Sequence, residues 1–474
     1  MGAGVSNWRL ARSVSRLGHL GVVSGTALDT ILVRRLQDGD LDGAMRRALA
    51  RFPIPDLAAR ILAKYFIQGG KRPDRPYLSL PLYTLNPSVE LQQVSVAANF
   101  VEVCLAKEGH AGWVGLNLLE KIQMQSLTAL YGAMLAGVDY VIMGAGIPRA
   151  FPAIIDALTE HKDVSMPAHL DGQAPDEAIR VSLRPAEVLG GAALPPLKRP
   201  KFIPIVASNV LALTLARKAS GKVDGFIVEG PTAGGHNAPP RGESKFNEKG
   251  EPLYGAKDEV DLGAIQKLGL PFWLAGGYGR PDKLKEALTL GAAGVQVGTA
   301  FAYCRESGLA VDLKRRILEM ARRGLAAIFT DPLASPTGFP FKVVQVPGTQ
   351  SDPVEYAARK RNCNLGYLRL PYKKADGTVG YRCRSDEPAN YVDQEGDPKE
   401  AEGRKCLCNG LVANIGMPQV YPNGYLEQPL VTSGDDLPLI KGFLPKDKSC
   451  YTAGDVVRNL MGLLKPSRSP LGQA

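Results

Sequence analysis

The stretch PFWLAGGYGRPDKLKEALTLGAAGVQVGTAF, residues 271–301, decides the fold. Phe272, Trp273 and Leu274 make a short β-prone run that stops at Gly276 and Gly277. Pro281 then stands at a first helical position, Leu284 and Leu288 share one face, and Gly291 is placed to end the helix. A second apolar run, GVQVGTAF (294–301), follows at once. Strand, crossover helix and second strand form a parallel β/α unit.

Working outward, the same alternation recurs. FIPIVAS (202–208) leads into NVLALTLARKASG, VDGFIVEG (223–230) leads through a loop into DLGAIQKLG, and the run at 294–301 leads into the helix LKRRILEMARRG (313–324). Toward the N-terminus, DYVIMGAG (139–146), GWVGLNL (112–118), HLGVVSG (19–25) and NWRLA (7–11) supply four more strands. Eight strands with crossovers give an α/β (β/α)8 TIM barrel, a fold of about 250 residues. The alternative is an open doubly wound sheet. No complete G-x-G-x-x-G supports it, because GAGIPR (144–149) carries Arg149 at the third position.

The barrel is expected over residues 1–330, with insertions at about 40–110 and 160–200. The first insertion contains helical segments, and the second a possible hairpin formed by VSMPAHL and AIRVSLRP. Beyond 330 the helical period fades, and 331–474 reads as an irregular, cysteine-containing extension packed on the barrel.

The composition is that of a globular chain: 474 residues, 45% hydrophobic and 22% charged. The net charge of +10 is spread along the sequence. In its densest patch, Leu313, Ile317 and Ala321 point inward and the arginines outward, which argues against a nucleic-acid partner. No apolar run reaches the roughly 18 residues of a membrane span, and the first residues lack the apolar core of a secretory signal. A cytoplasmic location without membrane attachment is expected. Seven cysteines, an odd number, suit a reducing compartment. Oligomeric state is not legible.

Ligands of such barrels gather at the C-terminal ends of the strands. AGGYGR (275–280) and VGTAF (297–301) close the seventh and eighth strands with glycines whose backbone N–H groups can approach an anion, and Thr299 adds a hydroxyl. On the same face, EGPTAGGHNAPPRG (229–242) places His236 behind Gly234 and Gly235. The glycines leave room for a flat ring, and imidazole suits proton transfer near neutral pH.

EGPTAGGHNAP followed by FWLAGGYGRPDKLKEALTLGAAGVQVGTAF resembles the nitronate monooxygenase family, formerly 2-nitropropane dioxygenases, whose relatives include FMN-dependent enoyl-thioester reductases. The resemblance implies an FMN-dependent barrel oxidising alkyl nitronates with O2 to a carbonyl compound and nitrite. The alternative it implies is an NAD(P)H-dependent enoyl-thioester reductase. By this similarity Gly276, Gly277, Gly298 and Thr299 hold the FMN phosphate with Gln296 nearby, Asn117 contacts the flavin, and Ser24 and Gly25 approach its ring. Gly234 and Gly235 pass along the ring, with His236 as acid/base. The chain departs from the family in lacking a Pro-Met pair near 7–12, in carrying Ser208 and Asn209 after the fifth strand, and in offering Thr232 or Glu229 for the glutamate before AGGH.

Cys363, Cys383, Cys406 and Cys408 are spaced C-x19-C-x22-C-x-C. Structural zinc sites usually show two close knuckles, and this spacing has one. Structural thiols and no metal are therefore expected.

Overall fold

The computed structural model describes residues 2–421, 423–444 and 448–462. In chain order its first strands are β1 (Gly21–Ser24), β2 (Val114–Leu119), β3 (Tyr140–Gly144), and an inserted antiparallel hairpin of β4 (Val164–Pro167) and β5 (Arg180–Leu183). They are followed by β6 (Lys201–Val206), β7 (Phe226–Glu229), β8 (Phe272–Ala275) and β9 (Gly294–Gln296). Seven of these form one parallel sheet in the order β1-β2-β3-β6-β7-β8-β9, and the crossovers between them carry helices.

The period-2 pattern of each strand explains how this sheet curls. Val23, Leu116, Val141, Phe202, Phe226 and Leu274 belong to the large core beneath the helices. Alternate residues, among them Val22, Ile142, Ile203, Ile227 and Trp273, pack together as a separate inner cluster. Because that cluster joins β1 to β8, the sheet bends around it as a half-barrel. Each buried Val, Ile or Phe contributes about 1.5–3 kcal/mol, so both faces stabilise the curvature.

The expected first strand of the eight is absent among the described residues. NWRLA belongs to the helix Trp8–Arg16, where the Asn7 side chain accepts from Leu10 N–H. Trp8, Ala11 and Ser15 are buried at helical spacing, which is the period that a five-residue strand reading overlooked. The preceding turn occupies the gap between the sheet edges. Ser6 O accepts from Ser24 N–H at 2.9 Å, and Val5 O accepts from Gly308 N–H at 2.8 Å. The run GVQVGTAF is also strand only through Gln296. Thr299–Ala302 already forms a helical turn, so Gly298 and Thr299 stand at the strand-to-helix corner.

The first insertion contains the helices Ala44–Leu49, Pro55–Tyr65 and Val89–Ala106, and the second is the β4–β5 hairpin. The extension is more ordered than its composition suggested. β10 (Ile328–Asp331) crosses the expected boundary at 330 and pairs antiparallel with β11 (Phe341–Val344), while β12 (Leu370–Lys373) and β13 (Val379–Arg382) make another hairpin. A buried carboxylate ties extension to barrel: Asp29 accepts from Tyr83 O–H at 2.6 Å and from Tyr367 O–H at 2.5 Å. The seven cysteines are free thiols. A hydrogen bond from Cys363 draws the Cys383 thiol down to about 7. Among the described residues, no group of three or more His, Cys, Asp or Glu side chains is placed to hold a metal ion. No helix among them is long and apolar enough to cross a membrane.

Candidate functional site

A cleft opens at the C-terminal ends of β7, β8 and β9. Glu229, Ala275 and Gln296 end adjacent strands in register and all line it. The loops that follow contribute Gly234, Gly235, Gly276, Gly277, Gly298 and Thr299. Seven of the ten residues expected to bind a cofactor are thus brought to one cleft.

Two glycines there answer to geometry. Gly276 has φ +97°, and a Cβ on it would stand 2.8 Å from Thr232 Oγ1. Gly234 lies so close to the extension that a Cβ would come within 2.7 Å of Gly434 N. The extension is therefore a wall of the cleft. Gly235 N–H donates to Thr432 Oγ1 at 2.9 Å, Lys342 N–H donates to Gly235 O at 3.0 Å, and Gly434 N–H donates to Thr299 Oγ1 at 3.1 Å.

Ser24, Gly25 and Asn117 do not line this cleft. Ser24 and Asn117 are paired in the β1–β2 register and share the inner face with Ile142. Gly25 lies against β2: its N–H donates to Asn117 O, and a Cβ would meet the Leu118 side chain at 2.7 Å.

His236 stands just past Gly235. Its Nε2 is 2.7 Å from Ser335 Oγ, and its ring meets the edge of Phe341 with centroids 4.9 Å apart. Ser335 is fully buried and also contacts Thr337 Oγ1 at 2.8 Å. Burial, reinforced by the positive charge of Lys121, pulls the His236 pKa down to about 3. The imidazole is consequently neutral at physiological pH. Lys121 itself sits over the Phe339 ring, 3.7 Å from its centroid, and burial lowers its pKa. Neither His236 nor Lys121 lines the cleft itself; Glu229, which does, has its carboxyl raised to about 7 by burial.

Sequence reasoning missed Ser335, Phe341 and the segment 431–436. These lie in a region without periodicity, and only chain folding brings them to the barrel. Ser6 was hidden by reading the N-terminal segment as a strand.

A parallel half-barrel with a glycine-lined cleft at the carboxyl ends of its strands defines an α/β ligand-binding domain of the barrel class. Residues 199–328, which contain that cleft's strands β7, β8 and β9 and His236, match the model of the nitronate monooxygenase family. A probable nitronate monooxygenase of Bacillus subtilis (strain 168) is 39% identical over 97 residues, which is 20% of this chain and 26% of that protein. The chain thus matches about a quarter of the relative's length. Among solved structures, FabK from Thermotoga maritima is 15% identical with a TM-score of 0.45, covering 97% of this chain and 89% of that one. Nitroalkane oxidase from Streptomyces ansochromogenes is 14% identical with a TM-score of 0.42, covering 98% and 93%.

Proposed function

We propose that the protein is an FMN-dependent oxidoreductase of the nitronate monooxygenase type, converting alkyl nitronates and O2 to a carbonyl compound and nitrite. The observation that carries this reading is the juxtaposition, within the family-matching segment, of a glycine-lined cleft and a neutral, hydrogen-bonded His236.

The residues present fit a phosphate-bearing flavin. An ideal Cβ on Gly298 would meet no atom within 4 Å, so its backbone faces open space. The buried side-chain atoms Tyr303 Oη and Ser433 Oγ, both from residues lining the cleft, have no protein partner beyond each other. Gly276, Gly277 and Gly298 would hold the phosphate end, with Gly234 and Gly235 along the ring. FMN, when bound, supplies the redox chemistry.

The protein's own groups do the rest. His236, fixed through Nε2 by Ser335 and neutral at physiological pH, would orient the anionic nitronate; with its pKa lowered this far it is too weak a base to carry the α-proton abstraction. Lys121, whose charge reaches His236, favours an anionic substrate. Thr432, Ser433 and Gly434 of the extension form one side of the cleft.

The test is purification with flavin analysis, followed by nitrite release from an alkyl nitronate in air and an anaerobic NAD(P)H titration. Nitrite formation without flavin bleaching by nicotinamide supports the proposal. Bleaching by NAD(P)H with no nitrite would replace it with the enoyl-thioester reductase reading, and a chain that cannot be reconstituted with FMN would remove both.

A further inference from the structure

Resting on the flavin reading above, we infer that the C-terminal extension completes the cofactor's phosphate site, with Ser433 and the barrel's Tyr303 as its hydroxyl donors. Ser433 lies outside the segment that matches the family.

The inference starts from unmet hydrogen bonds. Tyr303 is 0% exposed and Ser433 4% exposed, and their two hydroxyls have only each other within the protein, so that at least one O–H is left unmet. Buried hydroxyls are rarely left so, because their desolvation is uncompensated. Both residues line the same cleft, beside the Gly298–Thr299 corner. Thr299, the hydroxyl expected from sequence to donate there, is already engaged. It accepts from Gly434 N–H and hydrogen-bonds the Asp436 carboxyl. A phosphate presents acceptor oxygens and needs donors, and this hydroxyl pair, which can satisfy only one of its two O–H groups internally, supplies them where Thr299 does not.

The nearby acids do not oppose an anion at full strength. Asp435 is paired with Lys342 at 2.8 Å. Burial raises the Asp436 pKa, which favours its neutral form beside a bound anion. The remaining donors are the backbone N–H groups of the glycine corner.

The test compares FMN with riboflavin, which has the ring and ribityl chain but no phosphate. Full-length protein stripped of flavin is titrated with each, and binding is read by quenching of flavin fluorescence. Ser433→Ala and Tyr303→Phe are expected to weaken FMN at least tenfold while leaving riboflavin within about twofold. Retained riboflavin binding also reports that the variant is folded. Equal weakening of both ligands, or unchanged FMN binding, would overturn the inference and leave the flavin reading intact. Wild-type protein that binds neither flavin would remove the functional reading and this inference with it.

Discussion

His236 Nε2 and Ser335 Oγ lie 2.7 Å apart, although 99 positions separate them in the chain. The histidine comes from the loop after β7, and the serine from the turn between β10 and β11. The β10–β11 hairpin thereby fixes a ring that the barrel alone leaves free to rotate. Ser335→Ala should lower turnover about tenfold, by removing the bond that orients His236. Ser335→Thr should recover most of it, because the hydroxyl is kept. Steady-state kinetics of the two variants at matched flavin content measures this, and equal losses in both would mean that Ser335 only fills space.

His236 should stay neutral across the usual assay range. Its pKa is lowered to about 3 by burial and by Lys121, against about 6.5 for a free histidine. The profile of kcat/KM should therefore show no limb near 6.5 that is lost in His236→Ala. That variant should retain flavin while turnover falls at least tenfold. A His236 resonance titrating near 6.5 by NMR would contradict the prediction.

The stability profile should carry the sign of Glu229. Its carboxyl is raised to about 7 by burial, from about 4.5 unfolded, so the native state binds the extra proton between those values. The stability this contributes is present below about 4.5 and lost as pH rises through 7. Glu229→Gln should consequently raise Tm relative to wild type at pH 8 by an amount worth about 1–3 kcal/mol, and change little at pH 4. Thermal denaturation of flavin-free protein at both pH values tests it; an equal shift at each would refute the assignment.

Gly298→Leu should fold normally and lose its flavin. The backbone there has φ −113°, and a Cβ would meet no atom within 4 Å, so the new side chain projects into the cleft without strain. An unchanged Tm of the apoprotein with a colourless preparation is expected, whereas a fully yellow variant would place the phosphate elsewhere.

Gly234→Ala tests the extension as a wall. Its Cβ would press within 2.7 Å of Gly434 N, a backbone atom that cannot swing aside. A loss of about 1–3 kcal/mol in stability is expected from such overpacking. Increased protease sensitivity around 431–436 should accompany it, and wild-type stability would show that this segment yields freely.

The sequence by itself determined the β/α alternation, seven of the parallel strands, and the cleft residues that follow β7, β8 and β9. Apolar period and glycine punctuation are local properties, and strand ends in a parallel sheet necessarily share one side. The sequence did not reveal that Trp8–Arg16 is a helix, because five residues of mixed character fit either period. Nor did it reveal the partners Ser335, Ser433 and Tyr303. The positions of Ser335 and Ser433 depend on how a non-periodic extension docks across the barrel, and with them the surroundings of Tyr303; that docking is set by long-range contacts such as Tyr367 with Asp29 and Gly434 with Thr299. Tertiary structure also decided the charge states: the same histidine is an ordinary base when solvated and is held neutral at pH 7 when buried beside Lys121, since desolvation penalises the charged form.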